Sequence, residues 1–268
     1  MRYHIRMNNL RKYGQKPFDV AVIHGGPGAP GEMALVAREL SSEAGVLEPL
    51  QTATSIEGQV EELKNVLEKY GNPPVILIGF SWGAWLSYIF TAWYPVLVKK
   101  LIIIGSGPFE EKYAAHIIET RLRHLNTNEK KEALPLLSAI NSNSLQGDGF
   151  ARFGELMNKA DSYDPLPSDS EVLPRSPDIY QHVWLEANKL RSSGELLKLG
   201  EKIRCPVVAI HGDYDPHPAE GVKEPLAHVL KDFRFIILEH CGHHPWLERQ
   251  AKDKFYNALR REIKSLGD

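Results

Sequence analysis

The sequence predicts an α/β fold: a mostly parallel sheet flanked by helices, with an all-helical segment inserted. Three observations predict it. Continuous apolar runs at Val75–Ile78, Leu101–Ile104 and Pro206–Ile210 alternate with helical patterns, as in strands buried on both faces of a parallel sheet. The run Pro74-Val75-Ile76-Leu77-Ile78 enters Gly79-Phe80-Ser81-Trp82-Gly83 and then a second apolar, helical stretch. Between Pro108 and about Gly200 the alternation stops, and only helical patterns are found.

Taken in order, Tyr3–Lys12 alternates weakly and reads as an edge strand. Phe18–Ile23 is a stronger strand and runs into the loop His24-Gly25-Gly26-Pro27-Gly28. Met33–Ser42 reads as a helix and Gly45–Leu50 as a short strand. Ser55–Tyr70 is a helix: Ile56, Val60, Leu63 and Leu67 share one face, Ser55 is its N-cap and Gly71 stands past its end. Ala84–Tyr94 is apolar nearly all round, so it packs deeply, and Pro95 stops it. The inserted segment carries helical patterns at Glu110–Leu125, Glu129–Asn141, Gly149–Ala160 and Asp178–Leu199. A loop with Pro165, Pro167, Pro174 and Pro177 separates the last two. Phe233–Leu238 is the last strand and Trp246–Ser265 the last helix. The expected division is a core of residues 1–107 and 201–268 and a helical lid of residues 108–200.

Bulk properties exclude several classes. A net charge of −2 with no dense Lys/Arg block argues against a nucleic-acid partner. No apolar run reaches the length of a membrane span, and Met1–Arg6 has no apolar signal core, so no membrane partner and a cytoplasmic location are expected. Cys205 and Cys241 are too few and too far apart for a zinc site, and are expected to be free thiols. Oligomeric state is not readable.

Chemistry gathers at strand ends. A sharp strand-to-helix turn at Gly79–Gly83 forces Ser81 into a strained, exposed conformation at a helix N-terminus, the geometry of a nucleophile elbow. A serine hydroxyl needs a base to take its proton and an acid to orient that base. Asp213 and Asp215 follow the Val207–Ile210 strand, and His240, His243 and His244 follow the Ile236–Leu238 strand. His243 is favoured, because glycine before it and proline two residues after it fit a loop entering the last helix. Asp213 reads as a turn residue bonding its own backbone. The oxyanion of an acyl-transfer intermediate needs two backbone donors. They are expected from the N–H groups of Gly26 and Trp82. No metal site is expected among the three histidines.

These residues together resemble the α/β-hydrolase superfamily over about Phe18–Gly107 and from Lys202 onward. The likeness implies an α/β-hydrolase fold, a chain order of serine, acid and histidine, and the Gly212-x-x-Asp215 spacing that favours Asp215 as the acid. The catalytic set so implied is Ser81, Asp215 and His243. Within the superfamily, His24-Gly25-Gly26-Pro27-Gly28 with Gly79-Phe80-Ser81-Trp82-Gly83 is similar to the proline iminopeptidases, which release an N-terminal residue from small peptides and need no cofactor. Their Asp-x-Arg-Gly-x-Gly-x-Ser segment is replaced here by Leu47–Ser55, without Arg-Gly. Their lid acids, which hold the substrate's amino group, have no residue-by-residue match; Glu155, Asp161, Asp164 and Glu186 are acids in the right region.

The expected activity is that of a serine hydrolase of a small ester, thioester or amide, acting on a small-molecule acyl or aminoacyl substrate without a cofactor. The alternatives are a proline-iminopeptidase-like aminopeptidase and a non-hydrolytic lyase or ligand-binding receptor. Apolar lid positions Ile117, Leu122, Leu136, Leu137 and Trp184 favour a small acyl group over a peptide. Trp82 and Trp85 are expected to add aromatic surface near Ser81.

Overall fold

The computed structural model describes residues 9–142, 147–167, 171–174 and 176–265. Its strands are β1 (Leu10–Tyr13), β2 (Phe18–Ile23), β3 (Gly45–Pro49), β4 (Val75–Phe80), β5 (Val98–Ile104), β6 (Val207–Gly212) and β7 (Phe233–Leu238). They form one sheet in the order β1-β3-β2-β4-β5-β6-β7. β1 runs antiparallel to β3, and every other neighbouring pair is parallel. The expected edge strand is therefore found at the edge, from Leu10; its residues 3–8 lie outside the described residues.

Core helices are α1 (Ala34–Leu40), α2 (Ile56–Tyr70) and α3 (Trp82–Trp93) before the insertion, with six more, α4 to α9, inside it and two after it. The inserted ones are α4 (Glu111–Ala114), α5 (Ile117–His124), α6 (Thr127–Asn141), α7 (Asp148–Ala160), α8 (Pro177–Ser192) and α9 (Glu195–Lys198). Then come α10 (Glu220–Val229) and α11 (Lys252–Lys264).

Strand β4 shows why the sheet is parallel and covered twice. All six of its residues are buried. Val75 and Leu77 point into one core, shared with α2, α3 and α10, and Ile76, Ile78 and Phe80 into a second, shared with α1 and α11. A run apolar on both faces has no side to give to water, which is what its sequence shows. Ser55 caps α2 as expected, accepting the Gly58 N–H at 3.1 Å. Cys205 and Cys241 are unpaired thiols.

Three helix boundaries differ from expectation. The first inserted pattern breaks into α4 and α5, and the last into α8 and α9 around Gly194, whose φ of +78° ends α8. The final helix begins at Lys252 rather than Trp246, because Pro245–Leu247 forms a separate 3₁₀ turn. That turn buries Trp246 edge-on against Phe80, with centroids 4.7 Å apart.

The insertion lies between β5 and β6 and has its own small core of Leu125, Ala133, Leu156, Met157 and Ala160. Backbone hydrogen bonds tie it down: Leu166 N–H to the Leu247 carbonyl at 2.7 Å, Leu173 to Pro30 at 2.8 Å and Ser176 to Gly28 at 2.9 Å. It thus reaches both the glycine loop after β2 and the loop after β7.

Candidate active site

Ser81 follows β4 with φ 52° and ψ −116°, one of two non-glycine residues with positive φ among the described residues. This is the strained turn expected of an elbow. Close packing maintains it. A β-carbon on Gly79 would strike the Gly83 carbonyl, and one on Gly83 would strike those of Ile23 and His24. Glycine is thus needed at both positions, and the Ser81 N–H is fixed on the Ile104 carbonyl at 2.9 Å. The hydroxyl side chain stands at the N-terminus of α3.

The glycine loop after β2 lies alongside. Gly26 has φ 36°, a conformation that favours glycine, and its carbonyl accepts the Ala29 N–H in a tight turn. A side chain on Gly25 would collide with Phe80. Gly26, Ser81 and His243 line one cavity of about 180 Å³. Ser81 and Trp82 also line a second cavity of about 490 Å³.

Asp215 and His243 meet directly. His243 Nδ1 lies 2.7 Å from Asp215 Oδ2, and both side chains are buried. Burial alone drives the His243 imidazole toward its neutral form; the Asp215 carboxylate outweighs this and raises its proton affinity above the ordinary histidine value. Burial likewise works against the Asp215 charge, but His243, His217 and His211 hold it well below the usual carboxylate range. The His243 backbone is fixed too, its N–H donating to the Asp161 carbonyl at 2.7 Å.

The rivals are placed elsewhere. His244 Nε2 contacts Glu32 Oε1 at 3.2 Å, on the wall of the smaller cavity. His240 is exposed. Asp213 does not bond its own turn as expected: its Oδ1 accepts the Cys241 N–H at 3.1 Å, tethering the loop that carries His243. The Trp82 indole is buried and donates to Gln59 Oε1 at 3.1 Å. Trp85 stacks on Trp184 across the larger cavity, centroids 5.9 Å apart and planes within 6°.

Several residues escaped the sequence reading. His217 is a second imidazole on Asp215, with Nδ1 2.7 Å from Oδ1 and its backbone N–H on the same oxygen at 2.9 Å. Its ring centroid is 4.6 Å from that of His243. Asp215-Pro216-His217-Pro218 was the available signal. Arg121 grips Asp161 bidentately, at 2.7 and 2.8 Å. Burial opposes both charges, but each restores the other's: Asp161 titrates below and Arg121 above its ordinary value. Buried Glu248 accepts the N–H groups of Gly242, Tyr163 and Asp164 at 3.1, 2.9 and 2.8 Å. Partners so far apart in sequence leave no local pattern.

Among the described residues, the donor group compact enough to share a cation is Asp215, His217 and His243, with ligand atoms within 4.8 Å of one another. Here both imidazole Nδ1 atoms are used in hydrogen bonds to the carboxylate.

A mostly parallel sheet, a strained serine just after its central strand and a carboxylate–imidazole pair just after β6 and β7 define a protein of the α/β-hydrolase type. The family model for the alpha/beta hydrolase fold matches residues 22–250, and the chain belongs to that family. Human monoacylglycerol lipase ABHD6 is 24% identical over 228 residues, covering 83% of this chain and 66% of its own length. The chain thus spans just under two thirds of that relative. A proline iminopeptidase of Lactobacillus delbrueckii subsp. bulgaricus is 24% identical over 265 residues, covering 86% of this chain and 85% of its own. Among solved structures, VinJ superposes with a TM-score of 0.70 at 18% identity, over 96% of this chain and 94% of its own, which supports the fold.

Proposed function

We propose that the chain is a serine hydrolase that cleaves a small ester, thioester or amide through an acyl-enzyme on Ser81. One observation carries the reading: His243 is hydrogen-bonded to buried Asp215 at 2.7 Å and shares a cavity wall with strained Ser81. In this reading Ser81 Oγ attacks the acyl carbon while His243 takes its proton. The N–H groups of Gly26 and Trp82 hold the oxyanion. The bond to the leaving group breaks, and His243 returns the proton to that group. Water then attacks the acyl-enzyme, gives a proton to His243, and Ser81 recovers it as the acid departs. Asp215 keeps His243 in one tautomer and stabilises its charged form. Residues 108–200 act as a lid over a core formed by residues 1–107 and 201–268. Among the described residues, no helix is long and apolar enough to cross a membrane.

A second reading, an aminopeptidase, draws support from the iminopeptidase relative. The lid acids weigh against it, because each already has a partner. Asp161 is held by Arg121, Asp164 by Arg249 at 3.2 Å and Glu155 by Arg152 at 2.9 Å, while Glu186 accepts the Ile56 N–H at 2.8 Å. A substrate ammonium needs an uncommitted carboxylate. The test is covalent labelling with a fluorophosphonate. Wild type is expected to be labelled, and Ser81→Ala, still folded by circular dichroism, is not. Labelling that persists in Ser81→Ala would remove the mechanism.

A further inference from the structure

Asp215 orients two imidazoles, and the serine-hydrolase reading uses one of them. His243 meets Oδ2 and His217 meets Oδ1, each through Nδ1 at 2.7 Å. Ser81 borders both cavities, whereas His243 borders the smaller and His217 the larger. One carboxylate thus sets an imidazole on the wall of each.

The protons follow from that arrangement. An ionised carboxylate only accepts, and Asp215 is held well below the usual carboxylate range. Each Nδ1 therefore carries the hydrogen that it gives to Asp215. Burial is the largest influence on His217 and lowers its proton affinity; Asp215 opposes this, and His243 and Arg121 add to it. A neutral ring has a single N–H, so His217 Nε2 is a bare acceptor. The side chain is only 12% exposed, and among the described residues no donor meets Nε2.

Neighbouring donors are committed elsewhere. The Trp82 and Trp85 N–H groups of the same cavity go to Gln59 and to the Gly107 carbonyl, at 3.1 Å each. Arg121 grips Asp161 through two nitrogens, and Arg191 holds Glu111 at 2.9 Å. Water entering the cavity can donate to Nε2, but an acyl group that fills the cavity displaces it. A group that cannot replace the lost hydrogen bond leaves a lone pair buried and unpaired. A site of this kind discriminates strongly for the substrate that brings the missing donor.

We infer that the acyl part of the substrate carries an uncharged hydrogen-bond donor close to its carbonyl, a hydroxyl on the α- or β-carbon, and that His217 Nε2 receives it. This assignment rests on the serine-hydrolase reading and makes His217 a specificity-determining residue, separate from the base. The donor sits near the carbonyl because the His217 and His243 centroids are 4.6 Å apart and His243 serves the reacting centre. It is a hydroxyl rather than an ammonium because, among the described residues, no carboxylate lines the larger cavity.

The experiment measures kcat/KM by pH-stat on purified protein for the methyl esters of butyric, 2-hydroxybutyric and 3-hydroxybutyric acids and of the two matching methoxy acids. A methoxy group keeps the oxygen and loses the donor, and the unsubstituted and methoxy esters bracket the hydroxy ester in size. Wild type is expected to prefer one hydroxy ester over both of its counterparts by about 10-fold or more. His217→Asn keeps an amide N–H where Nδ1 meets Asp215 and offers nothing at the place of Nε2. His217→Gln sets an amide oxygen near the place of Nε2 and gives up the Asp215 contact. The asparagine variant is expected to lose the hydroxyl preference and the glutamine variant to keep most of it, whatever each does to the overall rate. A residue that only braced Asp215 would change the rate on every ester alike and leave the preference in place. The assignment is overturned if wild type shows no hydroxyl preference, if His217→Asn retains it, or if both variants lose it equally. Fluorophosphonate labelling of Ser81 is read on the same preparations. Labelled wild type without the hydroxyl preference overturns this assignment alone, and absence of labelling removes the serine mechanism beneath it.

Discussion

Asp215 has one carboxylate and two imidazoles competing for it. His243 takes Oδ2 and His217 takes Oδ1. With their centroids 4.6 Å apart, both rings cannot carry a proton cheaply. Burial and the neighbouring His243 and Arg121 charges lower the proton affinity of His217 despite Asp215, whereas that of His243 is raised. The proton therefore goes to His243. In the proposed mechanism only neutral His243 acts as base, so kcat/KM should fall as pH drops through its raised pKa. The acid-limb midpoint is expected above the ordinary histidine value of about 6.5. A pH–rate profile with a fluorogenic ester checks it, and a rate flat to pH 4 would exclude a histidine base. Asp215→Asn should lower kcat by about 10⁴-fold through loss of the correct tautomer, read at pH 8 with the fold verified by circular dichroism. At this scale much was legible. The strained turn at Ser81 and the pairing of Asp215 with His243 followed from strand ends, glycine spacing and, for Asp215, the resemblance to the α/β-hydrolases. The role of Asp213 did not, because its partner, the Cys241 N–H, is 28 residues away. His217 left only the short run Asp215-Pro216-His217-Pro218, which has no periodicity to mark it.

Elements hold these side chains through buried acids. Glu248 follows the 3₁₀ turn after His243 and accepts N–H groups from the histidine loop and from the insertion. Replacing it by alanine leaves three donors without their acceptor, at a cost on the order of 2–4 kcal/mol. Glu248→Ala is expected to lower the melting temperature by several degrees and to reduce kcat more than it raises KM, since His243 loses its support while the cavity walls remain. Equal loss in an unrelated surface variant would show the effect to be unspecific. At the opposite edge, Glu48 of β3 is buried, with the Tyr13 hydroxyl at 2.9 Å and Arg11 at 3.6 Å. Burial raises its pKa from 4.5 to about 7 against the pull of these partners. A raised carboxyl pKa means that the folded state binds the proton more tightly. The stability it contributes is full below the unfolded value and is lost as pH rises through about 7. Urea melts should show Glu48→Gln losing less stability than wild type between pH 5 and pH 8; parallel curves would place the charge elsewhere. The sequence announced β3 by its apolar run and α2 by its period and cap. It did not announce the breaks at Gly194 or ahead of Lys252, where tertiary packing of Trp246 on Phe80 decides against a longer helix.

The whole molecule sets a doubly covered sheet beside a helical insertion, and the insertion contributes the Arg121–Asp161 pair to the cavity wall. A helical segment there was legible, because among the described residues strands stop at Ile104 and resume at Val207. Its wiring was not, because Arg121 meets Asp161 across 40 residues and Glu186 meets Ile56 across 130. That wiring has a consequence. An aminoacyl substrate carries an ammonium, whose burial is strongly unfavourable without a carboxylate to receive it. Asp161 is the inserted acid on the cavity wall, and the Arg121 guanidinium occupies both of its oxygens. An ammonium entering beside them meets a pair already neutralised. A neutral acyl chain needs no such partner. The chain is therefore expected to turn over aryl esters with a kcat/KM at least about 10-fold above that for prolyl arylamides, a difference of roughly 1.4 kcal/mol at the transition state. Arg121→Gln supplies the matching check, because it removes the cation and leaves Asp161 to bind one. Its prolyl-arylamide to ester ratio should rise above that of wild type. A wild-type preference for the arylamide, or an Arg121→Gln variant whose ratio falls, would mean that the amino group is received elsewhere and would restore the aminopeptidase reading.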